Sequence, residues 1–120
     1  MATIKSFSDL NQSKVLAKIL PLESADMYWD YDVQKHEHYP MVMDDQFDDT
    51  CIRAWSLAAL LNVLPKIGAK EPMVRKLYYA SKPVERYICE YSLTNMTSEY
   101  DNPIDACYEM ILKLHKMNLL

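Results

Sequence analysis

RAWSLAALLNVLP, residues 53–65, predicts the helix around which the rest of the chain packs. Ser56 carries a hydroxyl that can accept a hydrogen bond from a free backbone N–H of the first turn, so it is the predicted N-cap. Pro65 has no N–H to continue the helix and therefore ends it. Trp55 is expected to pack over the helix start. The i, i+3, i+4, i+7 spacing predicts an apolar face made of Leu57, Leu60, Leu61 and Leu64.

Two further helices are predicted, one before and one after this segment. The first spans residues 9–20, with Ser8 as its N-cap and a proline directly after its end. The last begins where Asn102 can cap and Pro103 suits the first helical position, and it should end near Met117. Its predicted apolar face consists of Ile104, Cys107, Tyr108, Ile111 and Leu114.

Aromatic and β-branched residues mark the strands. Residues 27–31 predict a strand, whereas residues 32–50 have mainly loop composition, with a short extended segment at 39–43. Residues 73–80 and 84–93 predict a β-hairpin that turns at 81–83. The element order therefore predicts one globular α+β domain over residues 1–120, with about three helices packed on a small, mainly antiparallel sheet.

The composition excludes several classes of function. Half of the 120 residues are hydrophobic and a quarter are charged, which is typical of a globular protein. Gly68 is the only glycine, so glycine-rich phosphate-binding loops are excluded and no cofactor is predicted. There is no long apolar run and no signal peptide, so we expect a cytoplasmic protein without membrane contact. The three cysteines, predicted to be free thiols, are Cys51, Cys89 and Cys107.

Three blocks of the chain, LESADMYW (22–29), AWSLAALLNVLP (54–65) and YDNPIDACYEMI (100–111), resemble a family of small uncharacterised proteins. These relatives occur in gut Bacteroidales genomes, often near phage or other mobile-element genes. The blocks keep the same order and are spread over most of the chain, residues 22–111, although Arg53 stands where the relatives often have proline. The resemblance implies a compact intracellular domain, and it implies no reaction and no catalytic residue.

Charge is unevenly distributed along the chain. Residues 23–50 hold nine acidic residues and one lysine, Lys35, a net charge of −8. The remaining residues hold eight acidic and twelve basic residues, a net charge of +4. The basic ones are frequent in residues 66–86, around the predicted hairpin. This polarity predicts an acidic surface on one part of the fold and a basic one on another.

The acidic segment supports three hypotheses. A metal-dependent enzyme would use His36 and His38, which share one face if they lie in a strand, with the aspartates that follow them. An acidic surface could instead bind a basic protein, or mimic DNA towards a nucleic-acid-binding protein. Thirdly, the segment could simply be a solvated loop.

The leading prediction is a non-enzymatic protein-interaction module. Tyrosine and tryptophan are common at interfaces, and several precede the acidic cluster. The predicted contact residues are Tyr28, Trp29, Tyr31, Asp44, Asp45, Asp48 and Asp49. A homodimer is one form that such a module could take. Nucleic-acid binding is not favoured, because the pI is near 5.3 and no nucleic-acid-binding motif is present.

Overall fold

The computed structural model describes residues 5–79, 82–92 and 95–120. Three α-helices and six strands form an α+β fold, as the sequence predicts. The helices are α1 (Leu10–Leu16), α2 (Leu57–Val63) and α3 (Pro103–Lys116), and a short 3-10 helix covers Leu22–Ser24. The strands are β1 (Met27–Asp32), β2 (Glu37–Val42), β3 (Ile52–Ala54), β4 (Met73–Tyr79), β5 (Lys82–Ser92) and β6 (Asn95–Met96).

The strands form two antiparallel sheets rather than one. The first has the order β2-β1-β3 and the second the order β4-β5-β6. The predicted hairpin corresponds to β4 and β5, and its residues 80, 81 and 93 lie outside the described part of the chain. Lys82 and Pro83, predicted to be part of the turn, belong to β5. Strand β2 contains most of the predicted extended segment at 39–43, but it begins at Glu37, in a stretch predicted to be loop. That strand pairs with β1 over its whole length, from Met27 opposite Val42 to Asp32 opposite Glu37.

Helix α2 begins and ends close to the predicted positions. Ser56 is the N-cap, and its hydroxyl accepts a 3.2 Å hydrogen bond from the backbone N–H of Ala59. Leu60 is fully buried, while Leu57 and Leu61 are half-buried against the same core. Trp55, just before the cap, is completely buried, and its Nε1 donates a 2.9 Å hydrogen bond to Ser24 Oγ. The residues that lead into α2 are therefore as central as the helix itself.

The prediction that Ser8 caps the first helix is wrong. Asp9 is the N-cap, and it forms a capping box with Gln12, each side chain bonding the other residue's backbone N–H. Ser8 is instead buried, where its hydroxyl lies 2.7 Å from Ser13 Oγ and accepts a 3.0 Å hydrogen bond from Trp55 N. Serine and aspartate can both cap a helix. Here the backbone N–H of Trp55, just after β3, binds the Ser8 hydroxyl and leaves Asp9 as the cap. Helix α1 itself ends at Leu16, four residues before the predicted end.

Helix α3 follows the prediction closely. The side chain of Asn102 accepts a 2.9 Å hydrogen bond from Asp105 N, Pro103 occupies the first turn, and Met117 is the C-cap. The predicted apolar face is buried except for Tyr108, which is half-buried. Its residues join Trp55 and Leu60 in one hydrophobic core cluster.

A lysine links the N-terminal ends of α1 and α3. Lys5 Nζ lies 2.9 Å from Asp9 Oδ2 and 2.8 Å from Asp105 Oδ1. Gln12 Nε2 also donates to Asp105 Oδ1, at 2.7 Å. Carboxylates near helix N-termini are favoured by the helix dipole, and the lysine between them removes their mutual repulsion. The two helices are thus joined by a polar network as well as by the core.

The molecule is flat and extended for its length. Its extents are 46 × 37 × 20 Å and its Cα radius of gyration is 15.5 Å, whereas a compact chain of this length has a radius of about 13.6 Å. Residues 33–40, at the end of the β1–β2 hairpin, are all exposed, so this hairpin stands out from the core. Among the described helices, none combines the length and the apolar composition needed to cross a membrane.

Candidate functional site

The β1–β2 hairpin presents two different faces. Side chains of directly opposed residues in an antiparallel pair point to the same side, and they alternate along each strand. The face that we call the aromatic face carries Met27, Trp29 and Tyr31 of β1 and their partners Val42, Pro40 and His38 of β2. The opposite face carries Tyr28, Asp30 and Asp32 with Met41, Tyr39 and Glu37.

The aromatic face is largely open to solvent. Tyr31 is 44 % exposed and Val42 is 72 % exposed. Trp29 is half-buried, because Phe7 lies edge-on to its ring at 5.7 Å and its Nε1 donates a 3.2 Å hydrogen bond to the carbonyl of Ser8. The indole is therefore held in one orientation while its neighbours remain accessible. A contiguous exposed apolar surface of this kind is typical of an interaction site.

Tyr28, a predicted contact residue, is structural instead. It is completely buried, and its hydroxyl donates a 2.6 Å hydrogen bond to Asp44 Oδ1. Its ring packs edge-on against Phe47 at 5.4 Å, so the loop of residues 44–50 is fastened over this face of the sheet. The adjacent carboxylate raises the pKa of the Tyr28 phenol, because ionisation would place two anions side by side.

Five of the nine acidic residues in this part of the chain accept internal hydrogen bonds. Three of them bind backbone N–H groups in turns: Asp32 with Gln34 and Lys35, Asp44 with Gln46, and Asp48 with Thr50. The other two are Asp26, which binds Ser56 at the start of α2, and Asp30, which accepts from Tyr39 Oη at 3.1 Å. Much of the acidic composition is thus explained by local structure. Asp45 and Asp49 are exposed in the loop.

Cys51 lies beside two of these carboxylates and is not activated. Its Sγ is 3.8 Å from Asp30 Oδ1 and 3.7 Å from Asp48 Oδ1. Burial and the two negative charges raise the pKa of the thiol, whereas a nucleophilic cysteine needs a lowered one. Hydrogen bonds from Thr50 lower the pKa of Asp48, which keeps that carboxylate ionised.

The geometry does not assemble the predicted metal site. His36 does not lie in a strand: it adopts a φ of 54° in the turn before β2. Both histidines lie near Tyr31, with His36 Nδ1 3.5 Å from Oη and the His38 ring 5.0 Å away. Asp44 is tied to Tyr28 on the opposite face of the sheet from His38. Within the described residues, no three His, Cys, Asp or Glu side chains are grouped so that they could hold a metal ion.

Phe7 was not predicted to contribute to the aromatic face, and strand β2 was predicted only as a short extended segment at 39–43. Phe7 is separated from Trp29 by more than twenty residues, and no local pattern joins them. In β2 the signal was weak, because every residue except Met41 is exposed, so no buried side alternates along the strand, and Pro40 interrupts the strand pattern. Comparisons of the chain with protein-family models, with curated proteins and with solved structures find no match.

Proposed function

We propose that this protein is a non-enzymatic interaction module that binds a basic protein partner through the aromatic face. The observation that carries the proposal is the exposure of Tyr31 and Val42 on a hairpin that stands out from the core, beside a fixed indole. Large aromatic side chains that are already ordered bury apolar area at little entropic cost on binding. Residues of this kind commonly supply most of the binding energy of an interface.

The surrounding charge favours a basic partner. Residues 23–50 carry a net charge of −8, and Asp30 and Asp32 lie on the opposite face of the same hairpin. Glu37, Asp45 and Asp49 are exposed around the hairpin and its covering loop. This charge would steer a positively charged partner to the hairpin as a whole, and the association would slow as the salt concentration rises.

A second copy of the chain suits this surface less well. A two-fold dimer through the aromatic face would bring two acidic hairpins together, which is electrostatically unfavourable. In the basic region of another copy, residues 66–86, three of the six cations already pair with carboxylates. These pairs are Lys66 with Glu71 at 3.2 Å, Arg75 with Glu90 at 3.0 Å, and Lys76 with Glu85 at 3.0 Å.

The other two hypotheses receive less support. A metal-dependent enzyme needs ligands that converge, and His38 and Asp44 lie on opposite faces of the sheet. A DNA mimic needs a dense array of outward-facing negative charges. Here Asp26, Asp44 and Asp48 are turned towards hydrogen-bond donors of the chain itself.

The proposal is tested by quantitative affinity capture from a lysate of the source organism, using immobilised wild type and two variants. Tyr31→Ser with Val42→Ser removes the exposed part of the aromatic face, while Tyr78→Ser removes a comparably exposed side chain from the other hairpin. We expect a basic protein that is retained by wild type and by Tyr78→Ser, lost by the double variant, and released by salt.

Three results would contradict the proposal. Equal retention by all three proteins would place the contact elsewhere. Displacement of the captured protein by duplex DNA would favour mimicry, and loss of the captured protein on addition of a chelator would favour a metal-dependent role. Sedimentation of the purified wild type would reveal a homodimer directly.

A further inference from the structure

A second surface, which we call the cationic groove, lies between α1 and the segment leading into β3. Its volume is about 530 Å³, and it is bounded by Lys14 and Lys18 on one side and by Phe47, Ile52 and Arg53 on the other. Ligand sites for small molecules commonly occupy a few hundred cubic ångströms. Arg53 is the β3 partner of Tyr28 and lies on the face opposite the aromatic face, whereas Ile52 is the partner of Trp29. The groove therefore lies along the edge strand β3, and its lining includes none of the residues that define the aromatic face.

Three cations meet at this groove, and all three lie outside the acidic segment of residues 23–50. Arg53 is held in place, since its guanidinium lies 4.5 Å from the centre of the Phe47 ring and donates a 3.3 Å hydrogen bond to the carbonyl of Leu22. Lys14 and Lys18 are four residues apart and exposed, so both ammonium groups can reach the same mouth. The ion pairs found among the described residues involve none of these three cations.

The walls between these cations are apolar. Ala17 and Leu22 line the groove from the helical side, and the Phe47 ring and Ile52 line it from the sheet side. Asp49 is the one carboxylate at the rim, so the described lining carries a net charge of +2. Three cations around an apolar floor suit a ligand with an anionic head and a hydrocarbon body.

We propose that the cationic groove binds a small amphipathic carboxylate. The carboxylate lies between Arg53, which can bind it in a fork, and two lysines, Lys14 of α1 and Lys18 just after it. The hydrocarbon part lies along Leu22 and Phe47. This inference does not depend on the protein-binding role of the aromatic face, because the two surfaces share no residue.

The test is an NMR titration of the ¹⁵N-labelled protein with sodium decanoate below its micellar concentration, with 1-decanol as the uncharged control. We expect decanoate to shift the amide signals of residues 14–22 and 47–53, and decanol to bind much more weakly. Lys14→Ala with Lys18→Ala should weaken decanoate binding about tenfold, because two of the three cations at the groove are lost. Lys35→Ala, on the β1–β2 turn, is the matched control and should bind as wild type does.

The proposal is overturned if decanol binds as tightly as decanoate, or if the double lysine variant keeps the affinity of wild type. It is also overturned if decanoate shifts only the amide signals of the aromatic face. Both lysines are exposed and alanine favours helix, so the variant should fold, and its amide spectrum shows whether it has done so. Because the affinity capture uses different variants, failure of one proposal leaves the other intact.

Discussion

The hydroxyl of Tyr28 and the carboxylate of Asp44 are joined by a 2.6 Å hydrogen bond that fastens the loop of residues 44–50 onto β1. The same Asp44 oxygen accepts from Gln46 N at 3.0 Å, so one carboxylate both shapes the loop and anchors it. The acidic residues of this loop are therefore presented on a defined surface.

We expect Tyr28→Phe to loosen this loop while leaving the ring packing in place. Asp44 would lose its strongest donor, so the melting temperature should fall by a few degrees and proteolysis within residues 44–50 should become faster. Tyr31→Phe, on the exposed face, is the control and should change neither. Unchanged proteolysis of Tyr28→Phe would show that Phe47 alone holds the loop.

The same hydrogen bond makes the free energy of unfolding depend on pH in the alkaline range. Its carboxylate raises the pKa of Tyr28 in the folded protein, so the folded state disfavours ionisation of the phenol relative to the unfolded chain. This contribution to stability is complete below the ordinary tyrosine pKa of 10.0 and is lost as the pH rises beyond it. Tyr28→Phe should therefore make the free energy of unfolding fall less steeply above pH 10, as measured by urea unfolding.

Lys5 controls how the free energy of unfolding changes with pH in the acidic range. Although burial raises the pKa of both Asp9 and Asp105, hydrogen bonds to these carboxylates, including those from Lys5, outweigh it and hold both pKa values below 3.8. Their contribution to stability is complete above that ordinary value and is lost as the pH falls below it. Lys5→Met should lower the free energy of unfolding by about 1 kcal/mol at neutral pH. It should also make that free energy fall less steeply as the pH is lowered.

Urea unfolding at a series of pH values checks this prediction, with the exposed Lys35→Met as the control. If the free energy of unfolding of Lys5→Met falls as steeply at acidic pH as that of wild type, Asn102 and Gln12 suffice to stabilise Asp105.

Leu60→Ala should be among the more destabilising single changes in α2. Leu60 is completely buried beside Trp55 in the core cluster, so truncation removes apolar contacts and leaves a cavity. We expect a loss of about 2–5 kcal/mol in the free energy of unfolding. Val33→Ala, at a side chain that is 71 % exposed, should change it by less than about 0.5 kcal/mol. Similar losses for both variants would contradict this assignment of the core.

Elements with strong local signals were predictable from the sequence. Asn102 and Pro103 start α3, and Ser56 caps α2, because side-chain capping and the missing proline N–H act within a few residues. Where two capping residues compete, local rules fail. Ser8 could cap α1 as well as Asp9 does, but the backbone of Trp55, distant in sequence, binds the Ser8 hydroxyl instead.

The candidate site was predictable only in part. Trp29 and Tyr31 do lie on an exposed surface, but period-two alternation alone did not show that Tyr28 faces the covering loop. His38 and Asp44 are close in sequence, yet the pairing of β1 with β2 places them on opposite faces of the sheet. Such separation depends on strand register, which composition does not reveal.

Pro40 lies in the middle of the edge strand β2, where a backbone N–H is missing. Another strand that tried to extend the sheet along this edge would meet a gap in its hydrogen-bond ladder. An extended chain that offers only its backbone would therefore pair poorly with this edge, and a contact at this hairpin would depend on side chains.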